Sequence, residues 1–191
     1  LPPRSTLFPY STLFRSTSKI TSLFGHIRVN WGIDELFINT ELNNNIDNNL
    51  STFTSRPDRN LDLLINIWNN HIYPKFNSGK LLITPPTNQI DLSKNIFLRN
   101  ADSRIEMIND IKKSRIFLIP GHKAELYCLA AEEASELCIP IVTLGIGSLS
   151  ERVIHDKTGF IAKNNEEFSD YTIQLYKNDD LWKQIRNNLI M

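Results

Sequence analysis

From about residue 51 onward the chain alternates short apolar runs with longer amphipathic stretches. KLLIT (80–84), KNIFLRN (94–100), RIFLIP (115–120), IPIVTL (139–144) and GFIAK (159–163) are short, mostly apolar and not strictly alternating. Such runs read as strands covered on both faces. STFTS (51–55) reads as a further strand ahead of them. Between the runs the period changes. In NLDLLINIWNNHIYPKF the apolar residues Leu61, Leu64, Ile65, Trp68 and Ile72 recur at spacings of one, three and four, which puts them on one helix face. Ala101–Lys113 is expected to be a helix with Ile105, Ile108 and Ile111 on one side. Glu125–Leu137 is expected to be mostly helical, Leu149–His155 a short helix, and two helical segments close the chain. The Asn-rich stretch 39–51 reads as a connecting loop. HIRVNWGIDELF ahead of it pairs a short strand-like run with a Gly turn.

Strands alternating with helices imply an α/β fold, a Rossmann-like doubly wound parallel sheet that binds ligands at the carboxyl ends of its strands.

The first sixteen residues stand apart. STLFPY and STLFRS repeat a phrase with neither helical nor strand period, and no continuous apolar core marks a signal peptide. PPRSTLFPYSTLFRS (2–16) resembles the translation of a short-read sequencing adapter, PPRSTLFPYTTLFRS, differing only at Ser11. Residues 1–16 are therefore expected to be adapter-derived and not structural, and a gene opening in adapter is expected to lack its true N-terminal part. The expected organisation is 1–16 artefact, 17–50 interlobe linker region, and 51–191 ligand-binding domain.

Charge changes the picture little. Lys and Arg number 21 against 21 Asp and Glu; setting aside Arg4 and Arg15 leaves 19 against 21, about −2. No basic field points to nucleic acid, and no apolar stretch approaches the ~18–20 residues that span a bilayer. Cys128 and Cys138 are the only cysteines. They read as buried free thiols of a reducing cytoplasm, with a disulfide as the alternative. No zinc-type Cys/His spacing occurs.

Chemistry concentrates in AELYCLAAEEASELCIPIVTLGIGSLSERVIHDKTGFIA (124–162). Glu125 and Glu133 are separated by seven residues. Gly145-Ile146-Gly147-Ser148 follows a strand and precedes a helix, and Thr158-Gly159-Phe160 turns into the last strand. A small-residue turn opening a helix leaves backbone N–H groups for a phosphate. An ionised carboxylate on the neighbouring helix suits paired ribose hydroxyls, because it only accepts hydrogen bonds. Each signal alone has a plainer reading: the Glu pair of AAEEASE as a solvated helix face, the Gly as a turn.

Their order resembles the donor-binding half of the group-1 retaining glycosyltransferases of GT-B fold. These read E-G-F-G-L-x-x-x-E-A-M-A-x-G-x-P-V-V, then Gly-Gly-x-x-E, then T-G-F/L-L-V. Glu125, Leu129, Glu133, Ala134, Pro140, Val142, Gly147, Glu151, Thr158, Gly159 and Phe160 fall in register. TSRPDRNLDLLINIW resembles the family's first strand and helix. HIRVNWGIDELF resembles its P-N-G-I-D-x-x-x-F segment between lobes, so the likeness spans roughly 26–186.

The resemblance implies one lobe of a GT-B fold. It implies a glycosyltransferase that binds a nucleotide-diphosphate sugar (UDP, GDP or ADP type) as substrate and, in the full-length protein, moves the sugar to a saccharide or lipid-linked acceptor. It implies retention, no metal, no separate cofactor and a bacterial polysaccharide role. The fragment alone is expected to be inactive without its N-terminal lobe, in a cytoplasmic setting where membrane contacts would lie on that lobe. Glu125 would face the transferred sugar, and Arg59 would neutralise the diphosphate, with Arg56 a poorer second cation. Glu133 would accept from the ribose. Gly147, Ser148 and Leu149 would offer amides to the phosphates, and Asn100 would lie near the base.

Departures from the pattern keep a catalytically inactive Rossmann-like binding module as the alternative. E-G-F-G has become Glu125-Leu126-Tyr127-Cys128, losing both glycines, and Pro85-Pro86 stands where a Gly is usual, with a link too short for a common helix. His122 lies on the sugar side, though a lone loop histidine is ordinarily a surface residue. His155 belongs to the turn before Thr158.

Overall fold

The computed structural model describes residues 32–190 apart from 43, 44, 87, 88, 90, 101 and 102. The adapter-like stretch 1–16 and the HIRVN run (26–30) lie outside the described residues.

Six strands form one all-parallel sheet: β1 (Asp47–Phe53), β2 (Lys80–Ile83), β3 (Ile96–Leu98), β4 (Ser114–Leu118), β5 (Ile141–Thr143) and β6 (Gly159–Ile161). Their spatial order is β3-β2-β1-β4-β5-β6. The helices are α1 (Glu35–Ile38), α2 (Leu61–Ile67), α3 (Arg104–Lys113), α4 (Leu129–Glu136), α5 (Leu149–Arg152), α6 (Asn165–Lys177) and α7 (Asp179–Ile190). Every residue of β4 and β5 is buried. Since successive side chains point to opposite faces, both faces of the sheet are covered at its centre, while at the β3 edge Phe97 and Leu98 are exposed. α3 packs on β1 and β4, and α6 on β4, β5 and α2. This is the doubly wound α/β architecture that the alternation of elements predicts.

Capping residues set the helix starts. Ser103 Oγ accepts from Glu106 N at 3.2 Å and Asn164 Oδ1 from Glu167 N at 2.9 Å, each satisfying an amide that the helix leaves unpaired. α2 passes into a π-helical turn over Trp68–Ile72, closed by Tyr73 N–H to Trp68 O at 2.8 Å, and ends before Pro74, whose ring removes a donor. Buried Trp68 donates its Nε1 to Lys94 O at 2.8 Å.

Three expectations need correction. The Asn-rich loop 39–51 is in part strand, because β1 begins at Asp47. Its polar residues are satisfied rather than excluded: Asp47 Oδ2 accepts from Lys80 Nζ at 2.9 Å, and Asn48 Oδ1 accepts from buried Arg115 at 2.9 Å. The boundary drawn after residue 50 therefore cuts β1. Residues around α1 also belong with the sheet, since Phe37 is buried and α1 packs on α4. Finally, Glu125–Cys128 is a turn and not helix; α4 starts only at Leu129, after Cys128 takes the left-handed φ of 59°. The β2–β3 connection carries no helix among the described residues, as its shortness and its prolines predict.

Candidate functional site

β1 and β4 are neighbours whose connections run in opposite directions along the sheet, so their carboxyl ends flank a crevice. Two loops line it. In the β1–α2 loop, Asn60 sits in the left-handed region at φ 63° and donates Nδ2 to Gly121 O at 2.5 Å, tying this loop to the one leaving β4. One residue earlier, Arg59 Nε lies 3.2 Å from Glu125 Oε2. Asp58 Oδ2 accepts from Arg59 Nη1 at 3.3 Å and from Arg56 Nη2 at 3.1 Å. The Arg59 and Glu125 side chains are 19% and 18% exposed, whereas Arg56 is 68% exposed and pairs with Asp58.

The turn that carries Glu125 is closely built. Glu125 N–H donates to His122 O at 2.9 Å, Ala124 N–H to His122 Nδ1 at 3.1 Å, and Cys128 N–H to Glu125 Oε1 at 3.2 Å. The β5–α5 turn locks against it through Ser148 N–H to Glu125 O at 3.0 Å. Gly147, at φ 72°, makes that approach possible: a Cβ there would lie 2.4 Å from His122 O and 2.9 Å from Glu125 O.

This alters one expectation. The Ser148 amide, expected to face a phosphate, is already engaged by Glu125 O. Its buried hydroxyl instead lacks a partner among the described residues. The Leu149 amide, at the first position of α5, has no partner within the helix.

Glu133 follows on α4, half-buried, with no hydrogen bond or ion pair from its carboxylate among the described residues. Burial, opposed by Arg104 and Arg99 and aided by Asp34, pushes this carboxyl up to about 7. Those groups converge from other elements. Asp34 caps α1 and pairs with Arg104 at the start of α3, and Arg99 ends the β3 segment, held to Asp110 at 3.2 Å. Asn100 is exposed beside Arg99 at the carboxyl end of β3. The fold thus joins Arg59, Glu125, Gly147 and Ser148 in one contact network, with Glu133 on the adjoining helix. Arg56 and Asn100 stay at the margin.

The lost glycines leave a clear trace. Leu126 is 58% exposed, while Cys128 keeps the left-handed backbone that glycine favours. Both cysteines are buried free thiols at positive φ. Burial, reinforced by the charge of Glu125, pushes the Cys128 thiol up to about 12.

Some residues of the site are poorly marked in the sequence. Asp58 and Asn60 are hidden in the loop RPDRN, where an acid between two arginines and an Asn ahead of a helix are the available signals. Glu132 reads as solvated in AAEEASE, yet it is 6% exposed and ion-paired with Arg152 of α5, whose guanidinium lies 3.8 Å from the Tyr127 ring centroid. Among the described residues no group of three or more His, Cys, Asp or Glu could hold a metal ion, and no helix is long and apolar enough to cross a membrane.

Solved structures share this architecture. TarM of S. aureus, in complex with fondaparinux, α-GlcNAc-glycerol and UDP, is similar with a TM-score of 0.65 and 21% identity, covering 79% of this chain and 34% of that one. The pneumococcal O-GlcNAc transferase GtfA, in complex with UDP and GlcNAc, gives 0.64 and 12% identity over 78% of this chain and 33% of that one. The C-terminal domain of the group 1 glycosyl transferase LpcC from Francisella tularensis gives 0.59 and 14% identity, over 73% and 80%. These likenesses show the fold, a Rossmann-like lobe of the GT-B type. The chain spans about a third of the length of TarM and GtfA. Among curated proteins none matches the chain. The glycosyl transferases group 1 family matches residues 86–190, more than half of the 191-residue sequence. The chain belongs to that family.

Proposed function

We propose that this chain is the nucleotide-sugar half of a retaining glycosyltransferase, which in the full-length protein transfers a sugar to a saccharide or lipid-linked acceptor. The observation that carries the reading is the Arg59–Glu125 contact at the crevice between β1 and β4, with Glu133 on the helix that follows.

Arg59, backed by Arg56 through their shared Asp58, meets the charge that gathers on the departing diphosphate. Stabilising developing charge with groups already in place is the electrostatic part of such catalysis. Protein cations and the α5 end do this without a metal. Glu133 accepts from the ribose hydroxyls, and Glu125 faces the transferred sugar. Asn100 lies toward the base. From the Gly147 turn the Leu149 amide and the Ser148 hydroxyl serve the phosphates, in place of the Ser148 amide. Residues 1–16 are read as adapter-derived sequence, and the acceptor side is assigned to an N-terminal lobe. Half of a two-lobed cleft cannot orient two reactants, so residues 17–191 bind donor and transfer nothing. The left-handed backbone at Cys128 supports a functional donor loop over the inactive-module reading.

UDP is the first nucleotide to test, since TarM and GtfA bind it in the complexes above. A thermal-shift panel of UDP, GDP, ADP and their sugar conjugates on the chain tests the reading. Ligand at ~100 Kd stabilises the folded state by roughly 2.7 kcal/mol. One nucleotide should raise Tm, and both Arg59→Ala and Glu133→Ala should reduce the rise to half or less. No shift with any nucleotide at millimolar concentration, in a folded sample, overturns the reading.

A further inference from the structure

We propose that His122 is a specificity-determining contact of the donor site, its Nε2–H donating to a hydroxyl of the transferred sugar. The inference rests on the donor-binding reading above and extends it to a residue outside the family pattern.

The ring is oriented by its own turn. His122 Nδ1 accepts the Ala124 N–H at 3.1 Å, so the neutral imidazole carries its proton on Nε2. Nε2 then presents a donor, and it has no partner among the described residues. The backbone around it is pinned on both sides. Gly121 O accepts from Asn60 Nδ2 at 2.5 Å, His122 O accepts from Glu125 N–H at 2.9 Å, and the Gly147 turn packs onto that same carbonyl. His122 is therefore a half-buried, preoriented donor on the turn that carries Glu125, at the carboxyl end of β4.

A second observation points to a ligand at this turn. The Ser148 hydroxyl, buried and unpaired among the described residues, adjoins the turn through the Ser148 N–H bond to Glu125 O. Buried hydroxyls without a partner are uncommon, and the diphosphate of a nucleotide sugar, with the sugar next to it, supplies one. A sugar is rich in acceptors suited to a single oriented N–H.

The test separates the ring's two nitrogens. In His122→Asn the side-chain oxygen can still accept the Ala124 N–H as an Asx turn, while the Nε2 donor is gone. In His122→Gln the amide N–H₂ reaches toward the Nε2 position. The full chain and both variants are titrated calorimetrically with UDP, GDP and ADP and with their glucose conjugates. Expected for His122→Asn is an affinity about tenfold lower for the sugar conjugate that binds, one hydrogen bond's worth, with the free diphosphate unchanged and partial recovery in His122→Gln. Equal binding of the conjugate by wild type and both variants overturns the proposal. Equal loss of conjugate and free diphosphate also overturns it, because His122 would then only shape the turn. A wild-type chain that binds no nucleotide at all overturns the donor reading as well.

Discussion

Arg59 and Glu125 meet across the crevice between β1 and β4, Nε to Oε2 at 3.2 Å. A diphosphate bound at Arg59 competes with this carboxylate for the same guanidinium, so the two residues have opposite effects on nucleotide affinity. Arg59→Ala should weaken nucleoside-diphosphate binding about 10–100-fold, the worth of a charge-assisted hydrogen bond of about 1.5–3 kcal/mol. Glu125→Gln should leave that affinity unchanged or raise it, while lowering transfer by the full-length protein. Calorimetric titration measures both affinities; equal weakening in the two variants contradicts the division of roles.

Glu133 makes a pH prediction. Its folded-state pKa of about 7 lies above the ordinary 4.5. Between those values the folded chain holds a proton that the unfolded chain has released, so stability is greatest below pH 4.5 and is lost as pH rises toward 7 and beyond. Glu133→Gln should remove this slope, so that the Tm difference between variant and wild type grows from pH 5 to pH 8. Nucleotide affinity should move the other way. Ribose hydroxyls donate best to the ionised carboxylate, so affinity rises from pH 6 to pH 8 in wild type and is flat in Glu133→Gln. Parallel pH profiles in the two proteins would contradict the ribose assignment.

Gly147 is a steric requirement of the turn that holds Glu125. Gly147→Ala brings a Cβ within 2.4 Å of His122 O while keeping φ at 72°. The left-handed backbone costs an alanine about 1–2 kcal/mol, and relieving the clash about 1–3 more. Urea unfolding should show that loss, and nucleotide binding should fall because the Glu125 turn is pushed aside. An alanine variant with wild-type stability would mean that the two turns do not pack as tightly as the geometry requires.

Strands β2 to β6 were legible because each is a short, mostly apolar run, and their centres agree with the expected ones within a residue or two. β1 hid its first half because Asp47, Asn48 and Asn49 look like loop residues. They become strand only through Lys80 and Arg115, which come from other elements. For the same reason Glu125 was legible by its spacing to Glu133 but not as a turn residue, since a left-handed Cys128 has no sequence signal where glycine is the usual occupant. The partners around Glu133 were invisible: Asp34, Arg99 and Arg104 lie on three separate segments, and only folding gathers them.

The adjacent Glu132 tests how far local pattern can mislead. AAEEASE reads as a solvated face, but Glu132 is 6% exposed and Arg152 is 7% exposed, and the two are ion-paired between α4 and α5. Removing one member of a buried pair strands the other charge and typically costs about 3–5 kcal/mol, whereas replacing both by apolar groups of similar size is often neutral. Arg152→Met should therefore destabilise by about that amount, and Glu132→Leu with Arg152→Met should recover most of it. A solvated Glu132 would give a different result: Arg152→Met would then cost only lost packing over the Tyr127 ring, and adding Glu132→Leu would recover nothing. Urea unfolding of the single and double variants decides between the two. α5 follows directly on the Gly147 turn, so the single variant should also weaken nucleotide binding, and the double variant should restore it along with stability.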